Sequence, residues 1–261
     1  IREQKYKKEG EENMMVNKYI LIVVTLIFTF ITNYIFKMSF LKGGIITIGL
    51  VTLGYILYMN IKQRKRYSIL EEKLDPEKFI EETHKAYRYA GKNKELNSLL
   101  NMDLAFAYMS LGKYNKTMEF LDKVDPKQLP KTNNSLVGYY TSLMIVYYNL
   151  DDCDKAREMY KEASKYPLKN KRAEHLRAIL DANKYFYEGD YEASRRLFSS
   201  YPKDKMSKRF ELEILYVLAC IDEKERNCQS ANLKYKKVAK EANGLHIGKL
   251  SKDKLKADYS S

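Results

Sequence analysis

Two stretches near the start of the chain carry almost no charged side chains: Tyr19 to Phe36 holds no charge, and Gly43 to Ile61 is nearly uncharged. At 1.5 Å per residue the first reaches roughly 27 Å, about the thickness of a bilayer's hydrocarbon core. The short loop Lys37–Lys42 between them predicts two antiparallel membrane-spanning helices over 19–61. From Tyr67 onward apolar residues return at helical spacing, broken by Gly, Pro and Asp punctuation, and strand-like alternation is absent. The expected fold class is all-α, a two-helix transmembrane hairpin followed by a helical solenoid.

A cleaved signal peptide fits the first run less well. Lys18 could serve as its basic region, but no small-x-small cleavage site follows; the next residues are Lys37-Met38-Ser39-Phe40. Directly after the second run stand Lys62, Arg64, Lys65 and Arg66. Such a juxtamembrane cation cluster predicts a cytoplasmic end, and two crossings return the N-terminus to the same side. Lys37 and Lys42 on the outer side oppose this, and the cluster of four outweighs them. Thr25, Thr29 and Asn33 recur every four residues on one face of the first helix, and Gly43, Gly44, Thr47, Gly49 and Gly54 offer small surfaces on the second. An antiparallel hairpin places Asn33 opposite Gly43 to Thr47. No Asp, Glu, Lys, Arg or His lies within either run, so the hairpin reads as an anchor rather than a transport path.

Met14-Met15 just before the first run is a natural start of translation, since Glu9-Gly10-Glu11 can be encoded by a purine-rich ribosome-binding sequence about eight nucleotides upstream. Residues 1–13 are then either untranslated or a solvated charged tail. The expected organisation is an N-terminal tail at 1–18, the hairpin at 19–61, a basic juxtamembrane linker at 62–75 and a repeat domain at 76–258.

Self-comparison of that last region is informative. Leu104, Ala105 and Tyr108 precede Leu111-Gly112-Lys113-Tyr114, then Thr117, Leu121 and a stop at Asp125-Pro126. Leu143, Met144 and Tyr147 precede Leu150–Cys153, then Ala156, Tyr160, Ala163 and Pro167. Ala182 and Tyr185 precede Glu188-Gly189-Asp190-Tyr191, then Ser194, Phe198 and Pro202. Leu215, Leu218 and Ala219 lead through Asn227-Cys228 to Ala231, Tyr235 and Val238. Thr117, Ala156, Ser194 and Ala231 thus recur at intervals of 39, 38 and 37.

Each unit resembles a tetratricopeptide repeat (TPR), two antiparallel helices joined by a tight turn, and the likeness covers Leu96 to Ala242. The chain looks like a bacterial, membrane-anchored protein of this type, and the resemblance implies a right-handed TPR-like solenoid. Ala105, Ala182 and Ala219 are small where paired helices would cross, with Thr117, Ala156, Ser194 and Ala231 facing them; Tyr108, Tyr147 and Tyr185 fill the space beside them. The chain departs from the family in having no Trp, in spacings above the usual 34, and in Asp181 and Asp222, which stand in normally apolar or aromatic columns. Asp75-Pro76-Glu77 opens a further helix through Tyr89, and Gly244 to Ala257 would form a basic capping helix over the last core face.

Composition narrows the function classes. Three widely spaced cysteines exclude a disulfide-stapled domain, and 45% hydrophobic residues with 23 tyrosines exclude a mainly disordered chain. His84, His175 and His246 lack a metal-ligand neighbour at i+4 and read as surface or groove side chains; Cys153, Cys220 and Cys228 lack CxxC spacing and read as reduced, small apolar fillers. Neither a phosphate-binding Gly-rich loop nor a nucleophile triad is present, and Glu71-Glu72 and Glu81-Glu82 lie on polar faces rich in cations. The expectation is a non-enzyme without cofactor or metal. The net charge of +13 is uneven: Tyr67 to Tyr160 carries 13 Lys and Arg against 15 Asp and Glu, whereas Lys161 to Ser261 carries 23 against 15. The basic half is read as a solvated surface or one attracted to an acidic protein or anionic lipid, with nucleic acid disfavoured because no recognition helix or stacking motif accompanies it.

The resemblance implies a concave partner-binding groove formed by the first helices, here including Phe106, Met109, Tyr148, Phe186, Tyr187 and Tyr216. The family's two-lysine, two-asparagine clamp for C-terminal carboxylates is not matched, because Met102 and Thr141 stand where basic residues would be needed. The leading expectation is a scaffold or adaptor that captures a protein or peptide, acidic in character, at the cytoplasmic membrane face. The alternatives are an accessory subunit whose hairpin is the functional part and a membrane-bound enzyme with unrecognised active residues.

Overall fold

The computed structural model describes residues 22–34, 37, 40–130, 134–167, 171–242 and 244–258. These form two compact units: residues up to Ser68 together with His84–Gly91, and Ile69–Thr83 together with Lys92 onward. Residues 1–21, which include the tail, Met14-Met15 and the start of the first apolar run, lie outside the described residues.

The first unit contains α1 (Ile22–Tyr34) and most of α2 (Phe40–Glu71). Thr29 of the expected face is buried, and with it Thr32, one position off that face, and Thr47 of α2; the Thr32 and Thr47 hydroxyls lie 3.4 Å apart. Within α1 the Thr29 hydroxyl donates to the Thr25 carbonyl at 2.8 Å and that of Thr32 to the Thr29 carbonyl at 3.0 Å. A Cβ added at Gly43 would stand 2.4 Å from Asn33 Oδ1, so the helices approach closely there. Gly44, Gly49 and Gly54 face open space and take no part in this packing. The remaining apolar side chains, such as Leu26, Phe30, Ile45, Leu53 and Leu57, point outward.

One of the two expected spans is long and apolar enough to cross a membrane by itself, the helix Leu41–Glu71. The described part of the other, Ile22–Tyr34, reaches about 20 Å and is too short alone. The basic segment after the second run is helical rather than an open linker, since nothing from Tyr55 to Glu71 breaks a helix and α2 continues through it. Lys62, Arg64 and Lys65 are exposed and Arg66 half-buried; Lys62 Nζ sits 4.4 Å from the Tyr89 ring centre.

The second unit is a run of helix pairs: α4 (Lys94–Ser110) with α5 (Tyr114–Leu121), α6 (Ser135–Asn149) with α7 (Cys153–Ser164), α8 (Lys171–Glu188) with α9 (Tyr191–Ser200), and α10 (Lys208–Lys224) with α11 (Cys228–Glu241), closed by α12 (His246–Asp258). Ahead of them α3 spans Pro76–Ala90. The four intra-pair turns share one geometry. Gly112, Asp151, Gly189 and Arg226 each take a positive φ, of 68°, 60°, 86° and 63°. The next residue's N–H then returns to the first helix: Lys113 to the Tyr108 carbonyl, Asp152 to Tyr147 and Asp190 to Tyr185 at 2.9 Å, and Asn227 to Asp222 at 2.8 Å. This is the left-handed helix stop, which satisfies carbonyls that a helix end would leave bare. Asp152, Asp190 and Asn227 then cap the second helices by accepting from the N–H three residues on. Thr117, Ala156, Ser194 and Ala231 are all buried, as are Ala105, Ala182 and Ala219, so the paired helices touch through small residues.

Neighbouring pairs share side-chain clusters in sequence order. Met102, Leu121, Leu136, Leu143 and Val146 join the first two pairs, Met144, Ala163 and Leu180 the next, and Ala182, Phe198 and Ile214 the next. At the last pair, Leu74 packs with Leu212, Val238, Ala242 and Leu245. A Cβ on Gly244 would lie 2.1 Å from the Leu74 carbonyl oxygen, which requires glycine there.

Candidate partner-binding face

The six groove candidates come from the first helices of successive pairs: Phe106 and Met109 from α4, Tyr148 from α6, Phe186 and Tyr187 from α8, and Tyr216 from α10. The structure fills the intended groove with these side chains themselves. Tyr148 is only 7% exposed and belongs to the core with Met144, Ala156 and Leu180. Its ring stacks on Tyr187 at 4.6 Å and 6°, and its hydroxyl donates to Glu188 at 3.3 Å. The other five are half-buried. Phe186 meets Tyr187 edge-on at 5.3 Å, Asn149 Nδ2 donates to the Tyr187 hydroxyl at 2.6 Å, and Phe106 and Met109 rest on the first core cluster. Tyr148 is therefore a packing residue, and a partner would meet edges of the remaining aromatics rather than an open aromatic floor.

Burial governs the chemistry of this face. It pushes the Tyr148 phenol up to about 12, with the Glu188 carboxylate adding to the shift, and raises Tyr187, Tyr216 and Tyr235 as well. Cys220 is raised by burial and accepts from the Tyr235 hydroxyl at 3.4 Å; that hydroxyl also donates to Glu223 at 2.7 Å. A thiol held protonated in this way is a poor nucleophile. Cys153 and Cys228 are exposed at the first turns of α7 and α11, which corrects their expected role as fillers: in the repeat frame both follow the cap residue, outside the helix crossing.

His175 lies beside Tyr201, His84 beside Tyr87, and His246 against Gly112. Among the described residues no group of three His, Cys, Asp or Glu could hold a metal. A cavity of about 670 Å³ beside the Pro126–Gln128 turn is walled by Pro126, Pro130, Tyr140, Tyr166 and Pro167, and Asp125 at its edge accepts from the Lys127 N–H as a cap. Met102 and Thr141, at the unmatched clamp positions, are respectively in the core and half-buried with the hydroxyl donating to the Val137 carbonyl at 2.7 Å.

Two ion clusters, one around a buried carboxylate and one half-buried, escaped the sequence reading. Asp222 is 1% exposed and accepts from Arg195 at 2.7 Å, from Ser230 at 2.6 Å and from Lys234. Burial alone would raise its carboxyl, but these donors outweigh it and hold it below its ordinary value. Arg209 bridges Glu71 at 2.9 Å and Glu213 at 2.6 Å, and Ser207 also donates to Glu71. The departure of Asp222 from an apolar column was the one signal in the sequence for the first cluster.

A family model described as the SusR N-terminal TPR domain matches residues 81–235. No curated protein and no solved structure matches the chain.

Proposed function

Because the chain belongs to the family of the SusR N-terminal TPR domain, we propose that it is a non-enzymatic scaffold that holds a protein partner beside a membrane. TPR domains generally serve protein–protein interaction, and the half-buried aromatics of α4, α8 and α10 supply the apolar edges such a partner would meet. The observation that carries the membrane part is the outward-facing apolar surface of α1 and α2, which no other described segment covers. A hairpin in which α1 runs beside α2 accounts for the Thr32–Thr47 and Asn33–Gly43 approaches. Lys62, Arg64, Lys65 and Arg66 then favour a cytoplasmic repeat domain.

The test is alkaline extraction of membranes combined with a reporter fused after Ser261. Retention in the membrane and reporter activity in the cytoplasm are expected; release by alkali removes the anchor, and extracytoplasmic activity reverses the orientation. Replacing the hairpin by an unrelated two-span anchor separates the reading in which the hairpin itself is the functional part. Partner capture persists in the scaffold and is lost in that alternative.

A further inference from the structure

The last two helices carry a surface unlike the rest of the repeats. On α11, Leu233, Lys236, Lys237 and Lys240 fall at i, i+3, i+4 and i+7 and share one face. All four are exposed, and Leu233, at 64%, is the most exposed large apolar side chain beyond the hairpin among the described residues. On α12, Lys249, Lys252, Lys254 and Lys256 are exposed as well. Opposing charge is scarce: Asp253 is the acidic side chain described as exposed on these helices, and Glu241 is half-buried beside Lys208. Lys237 is engaged by Glu211 at 2.9 Å and Lys254 by Glu223 at 2.7 Å, whereas Lys234 turns inward to Asp222.

We propose that the α11–α12 face is a docking surface for anionic phospholipid, with Leu233 entering the interface between headgroups and Lys236 and Lys240 beside it binding phosphate. Three observations select this occupant. The face is cationic and the cytoplasmic leaflet is anionic, so charge is complementary. A single apolar side chain with long-stemmed ammonium groups beside it is the composition of an interfacial contact, because lysine stems lie along the apolar zone while their heads stay in the headgroup layer. The cavity of about 670 Å³ that could take a partner's anchor residue lies elsewhere, beside α6, walled by residues from Asp125 to Pro167. Each contact is weak alone. The inference rests on the membrane anchoring proposed above, since a tethered domain meets the leaflet at high effective concentration and weak contacts then suffice.

The experiment uses the full chain reconstituted in nanodiscs of phosphatidylcholine alone or with about 30% phosphatidylglycerol, and reads amine labelling of individual lysines by mass spectrometry. Labelling of Lys236 and Lys240 slows about fivefold in the anionic discs and recovers at high salt, while Lys116 and Lys155 on α5 and α7 stay unchanged. Leu233→Ser weakens the protection, and Lys236→Glu with Lys240→Glu abolishes protection of Lys249 and Lys252; circular dichroism confirms that the variants keep their helix content. Equal labelling of Lys236 and Lys240 in both disc types overturns the proposal. Protection by added poly-glutamate but not by anionic discs also overturns it, in favour of an acidic protein. A chain that fails to enter discs at all refutes the anchor instead, a result read separately by co-elution with the disc.

Discussion

The imidazole of His246, the first residue of α12, lies directly against Gly112 in the turn between α4 and α5. A Cβ at Gly112 would stand 2.4 Å from the ring's Cγ and Cδ2. Gly112 therefore answers two demands at once, a φ of +68° and room for a ring from the capping helix. Gly189 meets only the first, with a φ of +86° and open space where its Cβ would be. Gly189→Ala should cost about 1 kcal/mol for the left-handed conformation. Gly112→Ala should cost clearly more, and the excess should shrink when His246→Ala is added. Thermal unfolding of the four variants measures both the difference and the coupling.

The same contact makes stability depend on pH. Burial lowers the His246 pKa, and Lys249 lowers it further. The folded state therefore prefers the neutral ring. Its contribution is complete above the unfolded value of about 6.5 and declines as pH falls from there toward the depressed folded value. Unfolding measured from pH 7.5 down to 5 should show a loss of stability that His246→Gln flattens. A wild-type curve level across that interval would contradict the placement of the ring.

Asp222 predicts a loss of stability in the same direction, in a lower pH window. Its removal in Asp222→Ala leaves Arg195 and Lys234 without their shared carboxylate, at a cost of about 2–4 kcal/mol. Because its donors hold the carboxyl below its ordinary value, the stabilisation is present above the unfolded value of about 3.9 and disappears as pH falls through the folded one. Acid unfolding of the wild type should be steeper in that range than that of the variant.

How far the sequence could be read follows from the kind of constraint at each position. The helix pairs were legible because Thr117, Ala156, Ser194 and Ala231 sit at one crossing, where close packing admits only small side chains and so repeats a visible signature. Two of the four turns were legible through Gly112 and Gly189. The other two place Asp151 and Arg226 at a similar positive φ, where no glycine marks the turn, and Asp152 and Asn227 cap the helices that follow. Asn33 opposite Gly43 followed from antiparallel geometry alone. The groove was not legible, because a tyrosine on a first helix can face the concave surface or the neighbouring pair, and a drift of a single residue exchanges them. Tyr148 packs inward although it was its neighbour Tyr147 that recurs with Tyr108 and Tyr185 in the repeats. Leu74 meets Leu212, and Glu71 meets Arg209, across more than a hundred residues, which no local pattern announces.

Ala156→Leu tests the repeat register itself. Ala156 is fully buried where α6 and α7 touch, so added methylenes must displace a helix or distort a rotamer, costing about 1–3 kcal/mol. Glu158→Leu, on the same helix but outside the buried set, should change stability by well under 1 kcal/mol. Equal melting temperatures for the two variants would show that the crossing lies elsewhere.

Tyr148 and Phe186 separate folding from recognition, because they share a neighbour, Tyr187, but not its degree of burial. Tyr148→Ala removes a stacked core ring and should cost about 3–5 kcal/mol, close to the whole stability of a marginal domain. Loss of partner capture in that variant would report unfolding. Tyr148→Phe keeps the stack and deletes only the hydroxyl's bond to Glu188, so its cost should stay near 1 kcal/mol and capture should persist. Phe186→Ala truncates a half-buried ring and should leave the helices folded while weakening capture by about 1–2 kcal/mol if a partner rests on that edge. Circular dichroism and a membrane pulldown on the three variants give the discriminating set. Full capture by a folded Phe186→Ala chain would exclude the α8 edge from the binding surface and direct the search to the edges formed by Phe106, Met109 and Tyr216.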